Sequence, residues 1–326
     1  MFSTRYILGV DSGASKIEIS VLDLVSDEIY FSSLKRSGNP AAIGIERYCD
    51  NLSEVFREIF SRIDPGEIVG IGIGLAGYLE GYWNKDIINC LSRISRKDLS
   101  NKIFIFEDIL SAHVSAHLLR DGVVGILGTG SNFLGICGQR TWRVGGWGHL
   151  IDDRGGAYRV ASEALSRVVK SLDGRLKETI LVQYAFDHYR ASNVHELVSR
   201  IYSSQDPKST IASFAPYVFR AYREGDEIAR EVIETEVSEI ALAIATIYRR
   251  INCLEAPLAL VGSVYRENRD ILKNSIERRL RESYGIDKSV GDALIRDSCA
   301  SILIAGSKIG VSEDLLREKL LRVCRA

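Results

Sequence analysis

The chain has 326 residues, enough for two domains at roughly 100–200 residues each, and its 46% hydrophobic and 26% charged content excludes intrinsic disorder. The 42 Lys and Arg against 43 Asp and Glu leave a formal charge of -1, so no basic field supports nucleic-acid binding. No apolar run reaches the ~20 residues that span a bilayer, and the opening MFSTRYILGVDSG lacks the basic and long apolar segments of a signal peptide.

In chain order, residues 6–10 form a short apolar strand ending in the turn DSGAS. Residues 16–23 (KIEISVLD) alternate polar and apolar, as a half-buried strand does, and 28–35 form a third strand. Two tight connections among three strands predict an antiparallel meander. Residues 41–63 place Ile45, Tyr48, Leu52, Val55, Phe56 and Ile59 at helical spacing, and Asp64-Pro65-Gly66 stops that helix. Strand 68–73, helix 86–94, strand 103–106 and helix 108–119 complete a βββαβαβα unit. After Asp121-Gly122 a second meander begins with 123–127, 133–137 and a segment near Trp142. Residues 157–253 read as nearly all helical, 256–261 as one more strand, and the remainder as helices. Two units that open alike predict a duplicated topology with a helical insertion in the second half.

Four glycine-rich turns each follow an apolar strand: DSGAS (11–15), GIGLAG (72–77), GTGSN (128–132) and GGWGHLIDDRGG (145–156). Glycine at such a junction lets backbone N–H groups approach an oxyanion, so together these turns point to phosphate binding rather than to tight packing alone. Asp11, at the end of the first strand, is either a turn-former or a holder of hydrated Mg²⁺. GIGLAG fits GxGxxG, but YLEGYWNKD after it does not open a compact helix and the βββ start is not βαβ, which argues against dinucleotide binding. The GxxxxGK[ST] loop of P-loop ATPases is absent.

Glu107-Asp108 closes strand 103–106. Asp108 is the natural N-cap of the following helix and, at a strand end, is also placed to accept a hydroxyl proton. His113 and His117 stand i, i+4, yet no HExxH glutamate accompanies them, so an ordinary helix face is expected. Six cysteines, none in a CxxC pair, fit a reducing cytoplasm with buried thiols. One Met and three Gln hint at a thermophilic source.

Together these turns resemble the N-acetylglucosamine kinase and BadF-type group of actin-like, ribonuclease-H-fold ATPases. GVDSGAS is similar to that group's first phosphate motif, DGGGT, with Ser12, Ala14 and Ser15 as small departures. GTGSN matches the second, and GGWGHLIDDRGGAY resembles GGWGHxxGDEGSAY with Asp153 at the family's Asp, Asp152 for Gly and Arg154 for Glu. LVGSVYREN (260–268) resembles the adenosine-side motif with Ser263 for its second Gly.

The resemblance implies an α/β fold of two ribonuclease-H-like domains facing across a nucleotide and sugar cleft. They would be 1–120, with 312–326 as an optional addition packed on it, and 121–311 with helical insertions. It implies nucleotide and phosphate binding by Asp11, Ser12, Gly13, Ala14, Ser15, Lys16, Gly128, Thr129, Gly130, Ser131, Gly262 and Ser263, with Mg²⁺ on Asp11 through water. Asn39, Ala76, Gly77, Asp108, Gly130, Ser131, Asn132 and Asp153 would bind sugar, and Asp108 would be the catalytic base. The expected activity is ATP- and Mg²⁺-dependent phosphorylation of O6 of an amino sugar or hexose, N-acetylglucosamine first, in the cytoplasm. A second copy of the chain is an optional partner. The alternatives are a broad-specificity hexokinase and an ATPase activator of a partner enzyme. Such activators hold an iron–sulfur cluster through cysteines, and the wide cysteine spacing here weighs against that branch.

Overall fold

The computed structural model describes residues 6–78 and 81–325. They form two compact units, one running to Arg120 and resuming at Asp292, the other Asp121–Gly291. Leu79 and Glu80, in the loop that argues against a dinucleotide fingerprint, lie outside the described residues. No helix among the described residues is long and apolar enough to cross a membrane.

In the first unit, β1 (Tyr6–Ser12), β2 (Ile17–Asp23), β3 (Ile29–Leu34), β4 (Ile68–Leu75) and β5 (Ile103–Glu107) form one sheet. Its order is β3-β2-β1-β4-β5. The first three strands are an antiparallel meander, while β4 and β5 join in parallel. Nearly every residue of β1 and β4 is buried, because helices cover both faces and no solvent side remains to impose alternation. Leu8 and Val10 pack with Tyr48, Leu52 and Phe56 of helix Ile45–Phe60. Ile7 faces the opposite way, among Cys299, Ile302 and Leu303 of helix Asp297–Lys308. That second helix lies almost on the backbone of the sheet. A Cβ on Gly9 would stand 1.9 Å from the Ser298 carbonyl oxygen, and one on Gly72 would stand 2.1 Å from that of Ser301. The first four residues of GIGLAG are therefore strand, with glycines that admit a helix, and Gly74 lies against Ser111 and Ser301.

The second unit repeats the arrangement. β6 (Gly122–Leu127), β7 (Ser131–Cys137), β8 (Arg140–Gly145), β9 (Leu258–Val261) and β10 (Val290–Gly291) stand in the order β10-β9-β6-β7-β8. Read from the third strand of each meander, both sheets run third, second, first, fourth, fifth. The helical insertion packs around the 25-residue helix Glu227–Ile251, whose Val237, Ile240, Ile244 and Ile247 enter one core with Val123, Leu127 and Phe133 of the sheet.

Four expectations are corrected. The second unit ends at Gly291 rather than 311, because helix Asp297–Lys308 buries its apolar face on the first sheet. The helix expected over 41–63 is broken into Pro40–Ile43 and Ile45–Phe60 by Gly44, whose φ of 82° no helix accommodates. β10 falls in a stretch read as helical; two residues are too short to show a period. Finally, buried thiols are not the state of four cysteines. Cys137 pairs with Cys253 and Cys299 with Cys324, where the end of β7 meets the chain just past helix Glu227–Ile251 and where the last helix, Glu313–Val323, returns along Asp297–Lys308.

Candidate functional site

The candidate residues fall into two groups, one in each unit. In the first, the turn between β1 and β2 carries Ser12, Gly13, Ala14, Ser15 and Lys16. Ser12 is wholly buried, while Ala14, Ser15 and Lys16 face solvent. Ser12 Oγ donates to the Gly38 carbonyl at 2.9 Å and lies 3.3 Å from the Tyr48 hydroxyl. The Gly38 N–H in turn donates to the Gly13 carbonyl at 2.8 Å. The Ala76 N–H donates to the Ser12 carbonyl at 2.9 Å, and a Cβ on Gly77 would stand 2.5 Å from Asn39 Oδ1. These bonds bring the turn, Asn39, Ala76 and Gly77 into one neighbourhood. Asn39 itself caps the short helix Pro40–Ile43, accepting from the Ala42 N–H at 3.3 Å.

Asp11 sits at the end of β1 among other carboxylates. Burial, followed by the charge of Asp297, with Glu18 and Asp108 adding to it and Lys16 opposing, holds its carboxyl well above the usual range. Asp108 is not the N-cap that the sequence predicts. Glu107 holds the extended cap position without a side-chain cap bond, and Asp108 is the first residue inside helix Asp108–His117. There the helix dipole favours a negative charge. His113 and His117, 1% and 7% exposed, pack in the core with rings 4.9 Å apart.

In the second unit, GTGSN occupies the turn between β6 and β7, the same position in the topology that DSGAS holds between β1 and β2. The first turn of helix Ala157–Leu172 captures its carbonyls: the Ala157 N–H donates to Gly128 O at 2.8 Å and the Tyr158 N–H to Thr129 O at 3.1 Å. A trans peptide points its N–H opposite to its C=O, and no peptide here is cis. The Thr129 and Gly130 N–H groups are therefore aimed away from the helix. Gly156 and Gly130 make this fit, since a Cβ on Gly156 would lie 2.6 Å from the Gly130 carbonyl carbon, and one on Gly130 would lie 2.4 Å from Asp153 Oδ2.

Ser131 Oγ donates to the Arg154 carbonyl at 2.7 Å, and Asn132 Oδ1 accepts from Arg143 Nε at 3.2 Å. Asp153 has a left-handed φ of 59° and is 6% exposed; its Oδ1 accepts from the Gly148 N–H at 3.2 Å. Burial raises its carboxyl above the usual range, against that hydrogen bond and the charge of Lys208. His149 stacks edge-on to Tyr158 with ring centres 4.8 Å apart, and burial with nearby Lys208 lowers its basicity. Gly262 follows β9 with φ 96°, where a Cβ would meet the Leu127 carbonyl at 2.4 Å, and exposed Ser263 begins the next helix. This sets the adenosine-side candidate beside the strand that leads into GTGSN.

Several participants were not singled out in the sequence. Asp297 and Glu18 join Asp11, and Ser298 Oγ donates to Glu18 Oε1 at 2.9 Å. Glu236, 1% exposed, accepts from the Gly155 N–H at 2.7 Å and pairs with Arg154 at 2.8 Å, fixing the Asp152–Gly156 turn from the insertion. An acid at a core-facing position between Ile233 and Ile240 was the available signal.

Known proteins share this fold. The BadF/BadG/BcrA/BcrD ATPase family matches residues 8–295. An N-acetylmuramic acid/N-acetylglucosamine kinase of Clostridium acetobutylicum is 29% identical over 248 residues, which are 74% of this chain and 79% of that protein. An N-acetyl-D-glucosamine kinase of Dictyostelium discoideum is 27% identical over 190 residues, 53% of this chain and 58% of that one. Among solved structures, a candidate N-acetylglucosamine kinase from Chromobacterium violaceum superposes with a TM-score of 0.75 at 21% identity, covering 93% of this chain and 99% of that one. That likeness shows the fold, two ribonuclease-H-like units.

Proposed function

The chain belongs to the BadF/BadG/BcrA/BcrD ATPase family, and from that premise we propose that it is a sugar kinase transferring the γ-phosphoryl group of ATP to O6 of N-acetylglucosamine in the cytoplasm. The observation that carries the reading is the placement of a glycine turn at the same hairpin of both units, DSGAS in one and GTGSN in the other. The kinases of Clostridium and Dictyostelium supply the amino-sugar class.

The residues suit the groups they would hold. The close packing that only glycine allows at 130 and 156 leaves the Thr129 and Gly130 N–H groups turned away from helix Ala157–Leu172, an arrangement that suits phosphate oxygens. Hard carboxylate oxygens crowded at Asp11 fit Mg²⁺. Bound there, the cation would neutralise charge on the transferring phosphoryl group.

The work of the chain's own side chains follows. Asp108 accepts the O6 proton through a carboxylate that the helix dipole helps keep ionised. Asp11 would hold the cation through water. Asn39, Asn132 and Asp153 hydrogen-bond sugar hydroxyls, and a site built on such bonds rejects analogues that lack them. Ser12–Lys16 and Gly128–Ser131 position phosphates, and Gly262 and Ser263 the adenosine.

The activator alternative is weakened by the cysteines. Four are disulfide-bonded, and Cys90 is 3% exposed, a poor ligand set for a cluster shared between subunits. Phosphorus NMR of the product tests the proposal. Coupling of the new phosphoester to the two H6 protons is expected; a phosphate at the anomeric carbon would refute the O6 assignment.

A further inference from the structure

Beyond the four disulfide-bonded cysteines stand Cys49 and Cys90, 41 residues apart in sequence and in contact in space. Cys49 lies on helix Ile45–Phe60 and Cys90 on helix Asn84–Ser95. The two thiols stand close enough to perturb each other's acidity. Cys90 Sγ lies 3.6 Å from the Cys49 carbonyl oxygen and 3.6 Å from Ser53 Oγ, and the charge of Arg93, on the next turn of its helix, acts on it. Cys49 is half-buried, while Cys90 is 3% exposed. All six cysteines thus meet in pairs, at separations of 41, 116 and 25 residues. Two of those pairs are already bonded, and sequence neighbourhood explains none of them.

We propose that Cys49 and Cys90 are a redox-active dithiol that closes into a third disulfide by exchange with a low-molecular-weight or protein disulfide. Cys49 is the entry point because it is the more exposed. Cys49 releases its proton to solvent, and its sulfur attacks one sulfur of the exogenous disulfide RSSR, expelling RS⁻, which takes up that proton to form RSH. The Cys90 thiolate then attacks the Cys49 sulfur of the mixed disulfide. The second RS⁻ leaves and takes up from solvent the proton that Cys90 had released. Two protein thiols lose two electrons and two protons, and RSSR becomes two RSH.

The surroundings favour this chemistry. The neighbouring Cys49 thiol, with help from Ser53 and Arg93, holds the Cys90 thiol at about 6 against an ordinary 9.0, while Cys90 itself and burial push Cys49 up. Asp86, on the same helix as Cys90, adds to the rise at Cys49. A thiol next to an Arg cation whose pKa lies near ambient pH is well suited to attack a mixed disulfide. The pair is linked to the candidate site through the chain, since Cys49 follows Tyr48, whose hydroxyl lies 3.3 Å from Ser12 Oγ. Intracellular disulfides are a documented habit of hyperthermophile proteins, and the low Met and Gln content fits such a source. Nothing in the proposal depends on the sugar-kinase reading.

The test is a thiol count on the full chain by denaturing alkylation and mass spectrometry, before and after oxidised glutathione. Two alkylated cysteines should fall to none, and a digest should yield a peptide pair joined through 49 and 90. Protein isolated with that bond already closed, opened by mild reduction and reclosed by oxidised glutathione, supports the proposal equally. Cys90→Ser should stop at a glutathione adduct on Cys49. Wild-type protein that keeps two alkylatable thiols, that stops at a glutathione adduct, or that links 49 or 90 to another cysteine overturns the proposal. If Cys90→Ser fails to fold, the wild-type count still decides.

Discussion

Gly156→Ala probes the phosphate cradle through a single methyl group. The added Cβ would stand 2.6 Å from the carbonyl carbon and 2.7 Å from the Cα of Gly130, where carbon atoms pack at about 3.5–4.0 Å. The obstacle is backbone, so the GTGSN turn or the start of helix Ala157–Leu172 must retreat by about 1 Å. Overpacking of this kind costs about 1–3 kcal/mol. The functional loss should be of similar size, because a misplacement of about 1 Å can cost about 100-fold in turnover. The Ala157-to-Gly128 and Tyr158-to-Thr129 hydrogen bonds would stretch with it and turn the N–H groups of the cradle. Steady-state kinetics with ATP as the varied substrate should show a fall in kcat/KM near that size, with the circular dichroism spectrum unchanged. A folded Gly156→Ala protein with wild-type kcat/KM for ATP would refute the assignment of this turn to phosphate.

Three further outcomes are expected. Asp108→Asn should lower kcat by about 10²–10⁴-fold while sugar and ATP still bind by calorimetry, and Glu107→Gln should be far milder; the reverse ranking would transfer the base to Glu107. Asp11→Asn should abolish most turnover yet stabilise the ligand-free protein. The Asp11 carboxyl is raised above its ordinary 3.8, so the folded state holds this proton more tightly and the wild type loses stability as pH climbs through the raised value. The variant's advantage in Tm, about 2–4 °C per kcal/mol relieved in a chain of this size, should therefore grow with pH and vanish near pH 3, and an advantage confined to acid would contradict the crowding of carboxylates. Glu236→Ala leaves Arg154 and the Gly155 N–H without their buried acceptor, and should cost about 3–5 kcal/mol in urea unfolding, against little change if that acid were ornamental.

Much of the fold was readable because its signals are local. The alternation in KIEISVLD, the turn residues at 11–15 and the stop at Asp64-Pro65-Gly66 each act within a few residues, and the repeated meander followed from them. Helix Asp297–Lys308 was placed in the wrong unit because its apolar residues would suit either core. What commits it to the first sheet is the bare backbone at Gly9 and Gly72, a complementarity between segments more than 200 residues apart. Asp297 was missed for the same reason, as its role exists only once that helix lies beside β1. Cysteine pairing was unreadable in principle, since six cysteines allow 15 connectivities. At Asp108 the sequence set the cap one position late. Strand β5 runs one residue further than its apolar core, and Glu107 takes the cap.

The most direct measurement is coupled ADP release with a panel of hexoses and amino sugars, with and without Mg²⁺. The chain should release one ADP per sugar phosphate formed, only with Mg²⁺ present, and with the highest kcat/KM for N-acetylglucosamine. ADP release that proceeds at the same rate with no sugar would contradict a sugar kinase outright, and a higher kcat/KM for glucose would replace the amino-sugar assignment with a broad hexokinase.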